Sequence, residues 1–90
     1  MKRVHAIISG DVIGVGYRSW AKRQAKQLGL SGWVKNREDD TVELVAEGPE
    51  EKLQAFIKQC HRGPDVAWVK KVDWIWQEAP AEFADFEVLY

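Results

Sequence analysis

Apolar positions along this 90-residue chain change their period several times. Over residues 2–9 they alternate loosely, with Val4, Ala6 and Ile8 on one side, as in a strand with one buried face. From Tyr17 to Leu28 they fall at Tyr17, Trp20, Ala21, Ala25 and Leu28, a single stripe on a helix. Gly29 follows where a left-handed residue closes a helix. Residues 32–37 and 41–47 read as two strands around a hairpin turn, Glu38-Asp39-Asp40. Gly48-Pro49-Glu50-Glu51 opens a second helix, with proline and two acids in its first turn. Leu53, Phe56, Ile57 and Cys60 then recur at i, i+3, i+4 and i+7, and Gly63-Pro64 ends the run. Residues 66–76 read as a longer strand with Val72, Trp74 and Trp76 on one face, Ala79-Pro80-Ala81 breaks the pattern, and residues 85–90 form a short terminal strand.

The order β-α-β-β-α-β, with a small edge strand, predicts an α+β fold of ferredoxin-like type. Two helices with one apolar stripe each would cover one face of an antiparallel sheet. No linker, repeat or composition shift divides residues 1–90, so a single domain is expected. A chain of this size buries about 60–65% of the surface its unfolded form exposes, enough for one modest core. Five tryptophans help to fill that core. Cys60 sits on the apolar helix stripe and is expected to be a small core residue; a single cysteine makes no internal disulfide.

Charge narrows the functional classes. Thirteen basic and fourteen acidic residues give a net charge of −1, whereas a nucleic-acid-binding domain usually carries a basic excess. An RNA-binding domain of the RRM type shares this topology and needs exposed aromatics on its central strands. Trp33, Trp74 and Trp76 are strand aromatics, but their alternation on apolar faces points to core. The N-terminal stretch is too short and too polar for a membrane span, so a cytoplasmic protein without membrane or nucleic-acid partners is expected, a monomer by default. His5 and His61 form no constellation and read as structural or surface residues.

The chemistry concentrates in Gly10-Asp11-Val12-Ile13-Gly14-Val15-Gly16-Tyr17-Arg18, between a strand and a helix. Glycines let the backbone turn with positive φ and approach a ligand. Successive amides in such a turn converge into an anion site, and the following helix adds unpaired N–H groups and a positive dipole end. None of residues 14–17 is Ser, Thr, Asp or Asn, so the helix has no ordinary N-cap side chain and a phosphate could serve instead. Arg18 offers a planar fork for two phosphate oxygens. A Walker loop would need a lysine after the glycines, and a dinucleotide loop a larger parallel sheet. By itself the segment is equally a structural turn. A second candidate is Asn36, in Gly32-Trp33-Val34-Lys35-Asn36. Asn is disfavoured within strands, and its amide both accepts from water and donates to an oxygen. Alone it reads as preparation for the hairpin.

Together the two segments resemble the acylphosphatase family over nearly the whole chain. That family carries Gly-x-Val-Gln-Gly-Val-x-Phe/Tyr-Arg, matched from Gly10 to Arg18 except at Ile13. Its second motif is matched at Gly32, Trp33, Val34, Lys35, Asn36, Val42 and Gly48, with Asp40 where glycine is expected. Gly63-Pro64 before the last long strand also fits. The resemblance implies hydrolysis of carboxylic–phosphoric anhydrides to a carboxylate and inorganic phosphate, without metal, cofactor or covalent intermediate. It makes Val12, Ile13, Gly14, Val15, Gly16, Tyr17 and Arg18 the phosphate-binding loop. Arg18 becomes the substrate-binding arginine, and Asn36 the residue that orients the attacking water. Small acyl phosphates are the implied substrates, with phosphate or sulfate as anions for the same site. The alternative is a non-catalytic domain of this fold that binds a small anion. Asp40, standing for a turn glycine, is expected to carry backbone strain.

Overall fold

The computed structural model describes residues 2–78 and 81–90. Strands β1 (Lys2–Asp11), β2 (Ser31–Asn36), β3 (Val42–Gly48), β4 (Trp68–Glu78) and β5 (Phe86–Leu89) form one sheet in the order β4-β1-β3-β2-β5, with helices α1 (Tyr17–Gln27) and α2 (Glu50–Arg62). This is the expected α+β, ferredoxin-like arrangement. The predicted break at Ala79-Pro80 lies outside the described residues.

One face of the sheet is apolar because its strands alternate. Val4, Ala6 and Ile8 of β1, Val34 of β2, and Val42, Leu44 and Ala46 of β3 are almost fully buried. Against them pack Tyr17, Ala21 and Ala25 of α1 and Leu53, Phe56, Ile57 and Cys60 of α2; Trp20 and Leu28, the other members of the first predicted stripe, are half-buried at the edge of this core. Each fully buried Leu, Ile, Val or Phe side chain contributes about 1.5–3 kcal/mol relative to exposure. Cys60 lies in this core, and burial pushes its thiol up to about 12.

Three sequence expectations change. The first strand runs two residues further than its alternation suggests: Gly10 and Asp11 pair with Val69 and Trp68 of β4 after a register shift at Ser9/Gly10. A Cβ at Gly10 would collide with the Trp68 carbonyl, so glycine is needed there for close strand approach rather than for phosphate. The terminal strand β5 pairs parallel to β2, so the sheet is mixed rather than purely antiparallel. The aromatic strand residues are not uniformly core. Trp76 packs against the core and Trp74 is 38% exposed, while Trp33 lies half-buried on the sheet face away from the helices.

The hairpin behaves as its sequence suggests. Asp40 is the one non-glycine residue with positive φ among the described residues, at 62°. Glycine adopts that conformation without a Cβ penalty. Asp40→Gly is expected to raise the melting temperature by ~2–4 °C, the net of relieved strain and a more flexible unfolded chain. Thermal denaturation followed by circular dichroism checks this, and a lowered midpoint contradicts it.

Candidate active site

The topology brings the two sequence motifs to one end of the sheet. β1 and β2 are each antiparallel to β3, and both Ile8 and Asn36 stand opposite Val42. Two strand spacings separate them, about 10 Å. The glycine loop leaves β1 just beyond this level, and Asn36 ends β2. By strand alternation Asn36 shares the helix-covered face with Gly32 and Val34.

The loop is held from beneath by its apolar side chains. Val12 is buried, and Ile13 and Val15 are half-buried against the core. Gly14 and Gly16 stay at the surface with φ of 76° and 79°. Ile13, at the position where the family motif has Gln, thus spends its side chain on packing and keeps its amide.

Gly16 is the N-cap of α1 in the left-handed conformation, with no capping side chain and no acidic residue in the first turn. The first backbone bond of the helix runs from Trp20 N–H to Gly16 C=O, at 3.0 Å. Among the described residues no backbone carbonyl accepts from the amides of residues 13–19. These donors, at the positive end of the helix dipole, suit an anion.

Tyr17 enters this site by its amide alone. Its ring is 1% exposed, and its hydroxyl donates to the Cys60 carbonyl at 2.7 Å. Burial pushes the phenol well above its ordinary range. The bond satisfies a carbonyl in the last turn of α2 and pins the start of α1 against it. Only the motif's aromatic-then-Arg order hinted at such a role.

Arg18 is half-buried at the first turn of α1. Its Nη1 donates to the Leu89 carbonyl at 3.1 Å, and its guanidinium carbon lies 4.6 Å from the Tyr90 ring centroid. Neither partner was visible in the motifs. Asn36 is half-buried, and among the described residues no protein hydrogen bond engages its side-chain amide. It lines an open depression with Lys35, Arg37, Glu38, Asp39 and Glu43, which does not include Arg18 or the loop. What relates the two residues is the shared end of the sheet.

Glu43, which lines the Asn36 depression, also contacts a histidine. His5 Nε2 sits 2.7 Å from Glu43 Oε2, and His61 is exposed on α2. Glu47 is buried on β3. Burial alone would push its carboxyl up. The Glu82 amide, Arg3 and the Phe83 amide outweigh that and leave it below the ordinary value. These contacts fasten the segment that leads into β5.

Comparison with known proteins shows the family. The acylphosphatase family model matches residues 4–88. An acylphosphatase of Methylococcus capsulatus is 48% identical over 99% of this chain and 97% of its own length. The crystal structure of acylphosphatase from Bacillus subtilis superposes with a TM-score of 0.96 at 34% identity, covering 100% of both chains. The structure of an acylphosphatase from Coxiella burnetii gives 0.92 at 34% identity over 98% of this chain and 92% of that one. With the family model matched over residues 4–88 and a relative 48% identical over 99% of the chain, the chain belongs to the acylphosphatase family.

Proposed function

We propose that this chain hydrolyses acyl phosphates by in-line attack of a water oriented by Asn36 on a phosphoryl group held by the amides of residues 12–18 and by Arg18. The observation that carries the proposal is the uncapped first turn of α1, resting on left-handed Gly16 and carrying Arg18. Its N–H groups and guanidinium stabilise charge on the equatorial phosphoryl oxygens, where it resides through the reaction. The Asn36 carbonyl oxygen accepts from the water, and its NH₂ donates to a phosphoryl oxygen. Holding the water in line removes much of the entropic barrier.

No further acid is required. The departing carboxylate is stable at neutral pH, so the acyl–oxygen-to-phosphorus bond breaks without prior protonation. The attacking water passes its proton to a phosphate oxygen and ends as a hydroxyl of inorganic phosphate. A metal ion or cofactor has no step to perform in this scheme. Inorganic phosphate or sulfate occupies the same cradle as a competitor. The contacts involve the phosphate and not the acyl group, which favours broad acyl tolerance. We place this reaction in the cytosol with one chain as the catalytic unit.

Hydrolysis of benzoyl phosphate, followed by ultraviolet absorbance with a metal chelator present, tests the proposal. Chelator-resistant turnover inhibited competitively by inorganic phosphate is expected. Phosphate binding without turnover from folded protein would replace the enzyme by an anion-binding domain.

A further inference from the structure

We infer that β5 is a strut for the phosphate-binding arginine, and that Tyr90 is a positioning residue: the Leu89 carbonyl and the Tyr90 ring together hold the Arg18 guanidinium in its binding orientation. This rests on Arg18 being the phosphate-binding residue.

The contacts are complementary. Leu89 C=O accepts from Nη1 at 3.1 Å, and the Tyr90 ring centroid lies 4.6 Å from the guanidinium carbon. One bond restrains the fork's rotation, and the guanidinium carbon sits over the Tyr90 ring, where the ring's face attracts a cation. Using Nη1 in this way leaves the Nε–Nη2 edge, a parallel pair of donors matched to two phosphate oxygens. A long side chain on a helix surface otherwise samples many rotamers, and ordering it on binding weakens the complex.

The strut is itself anchored. Phe86 is fully buried and meets Phe56 edge to face, with centroids 6.0 Å apart. Just before it, the Glu82 and Phe83 amides donate to Glu47 Oε1 at 3.0 and 3.1 Å. β5 then pairs with β2 from Gly32↔Phe86 to Lys35↔Leu89, ending beside Asn36. One four-residue strand therefore adjoins the end of β2 that carries Asn36 and grips Arg18. Tyr90 is 99% exposed, so its ring adds nothing to the core and its described partner is the guanidinium.

The experiment compares Tyr90→Ala, Tyr90→Phe, Arg18→Ala and the Tyr90→Ala/Arg18→Ala double variant in full-length protein. The readouts are benzoyl phosphate kinetics, the inhibition constant of inorganic phosphate and the melting temperature. Tyr90→Ala is expected to raise both the KM and the phosphate inhibition constant ~2–5-fold, the worth of an exposed cation–π contact, with kcat and Tm little changed. Tyr90→Phe, which keeps the ring, restores wild-type values. In the Arg18→Ala background the Tyr90 substitution has no further effect. An unchanged phosphate constant in Tyr90→Ala, or an equal loss with and without Arg18, overturns the inference while leaving Arg18 in its role. A phosphate constant unaffected by Arg18→Ala overturns both.

Discussion

Arg18→Ala is expected to lower kcat/KM for benzoyl phosphate by ~10³–10⁴-fold while leaving the fold intact. One preorganised donor is typically worth about 10²–10³ in rate. Arg18 supplies a charge and two donors from one planar group, so its loss should exceed that range. The guanidinium is already oriented by Leu89 and Tyr90, and its benefit is therefore available without reorganisation when charge shifts in the transition state. Stability should change little. Arg18 is half-buried on the first turn of α1, its strong contacts among the described residues are with Leu89 of β5 and Tyr90, and alanine favours a helix. Steady-state kinetics beside a thermal melt separates the two effects. Near-wild-type turnover would remove Arg18 from the mechanism, and a large fall in Tm would show that its role is structural.

Asn36→Ala should act differently. The expected loss is ~10²–10³ in kcat, with the inhibition constant of phosphate within about twofold of wild type. The amide orients the nucleophile, which matters in the transition state, whereas the bound phosphate is held by the loop and Arg18. No protein hydrogen bond engages the Asn36 amide among the described residues, so its removal strands no partner and the strand should persist. Competitive inhibition and turnover, measured on the same preparation, give the split. An unchanged kcat would reduce Asn36 to a hairpin residue. A matching loss of phosphate affinity would make it part of the cradle.

Most of the fold was legible because its elements are strongly patterned. α2 shows apolar positions at helical spacing between Pro49 and Gly63, and it runs from Glu50 to Arg62. The two-residue period of β1 holds through Ile8. Its last residues carry no such period: Gly10 and Asp11 become strand because β4, some 58 residues later, offers them a partner. β5 is a further case. A four-residue segment shows that it can be extended, but the choice of β2 as neighbour, and of parallel pairing, is made by where the chain returns after β4.

The candidate site divides the same way. Local sequence determined the loop's glycines, the uncapped start of α1, Arg18 in its first turn and Asn36 at the end of β2, because backbone freedom, capping and strand length are short-range properties. It did not reveal that the Tyr17 hydroxyl closes the end of α2, or that Leu89 and Tyr90 hold Arg18, since each pairs residues more than forty positions apart. Such contacts arise only when the sheet order sets β5 beside β2 and the helices on one face. Sequence alone thus determined which groups could bind a phosphate and place a water. Tertiary structure decided that they meet at one end of the sheet and what holds them there, because orientation and distance between remote segments come from packing and strand register.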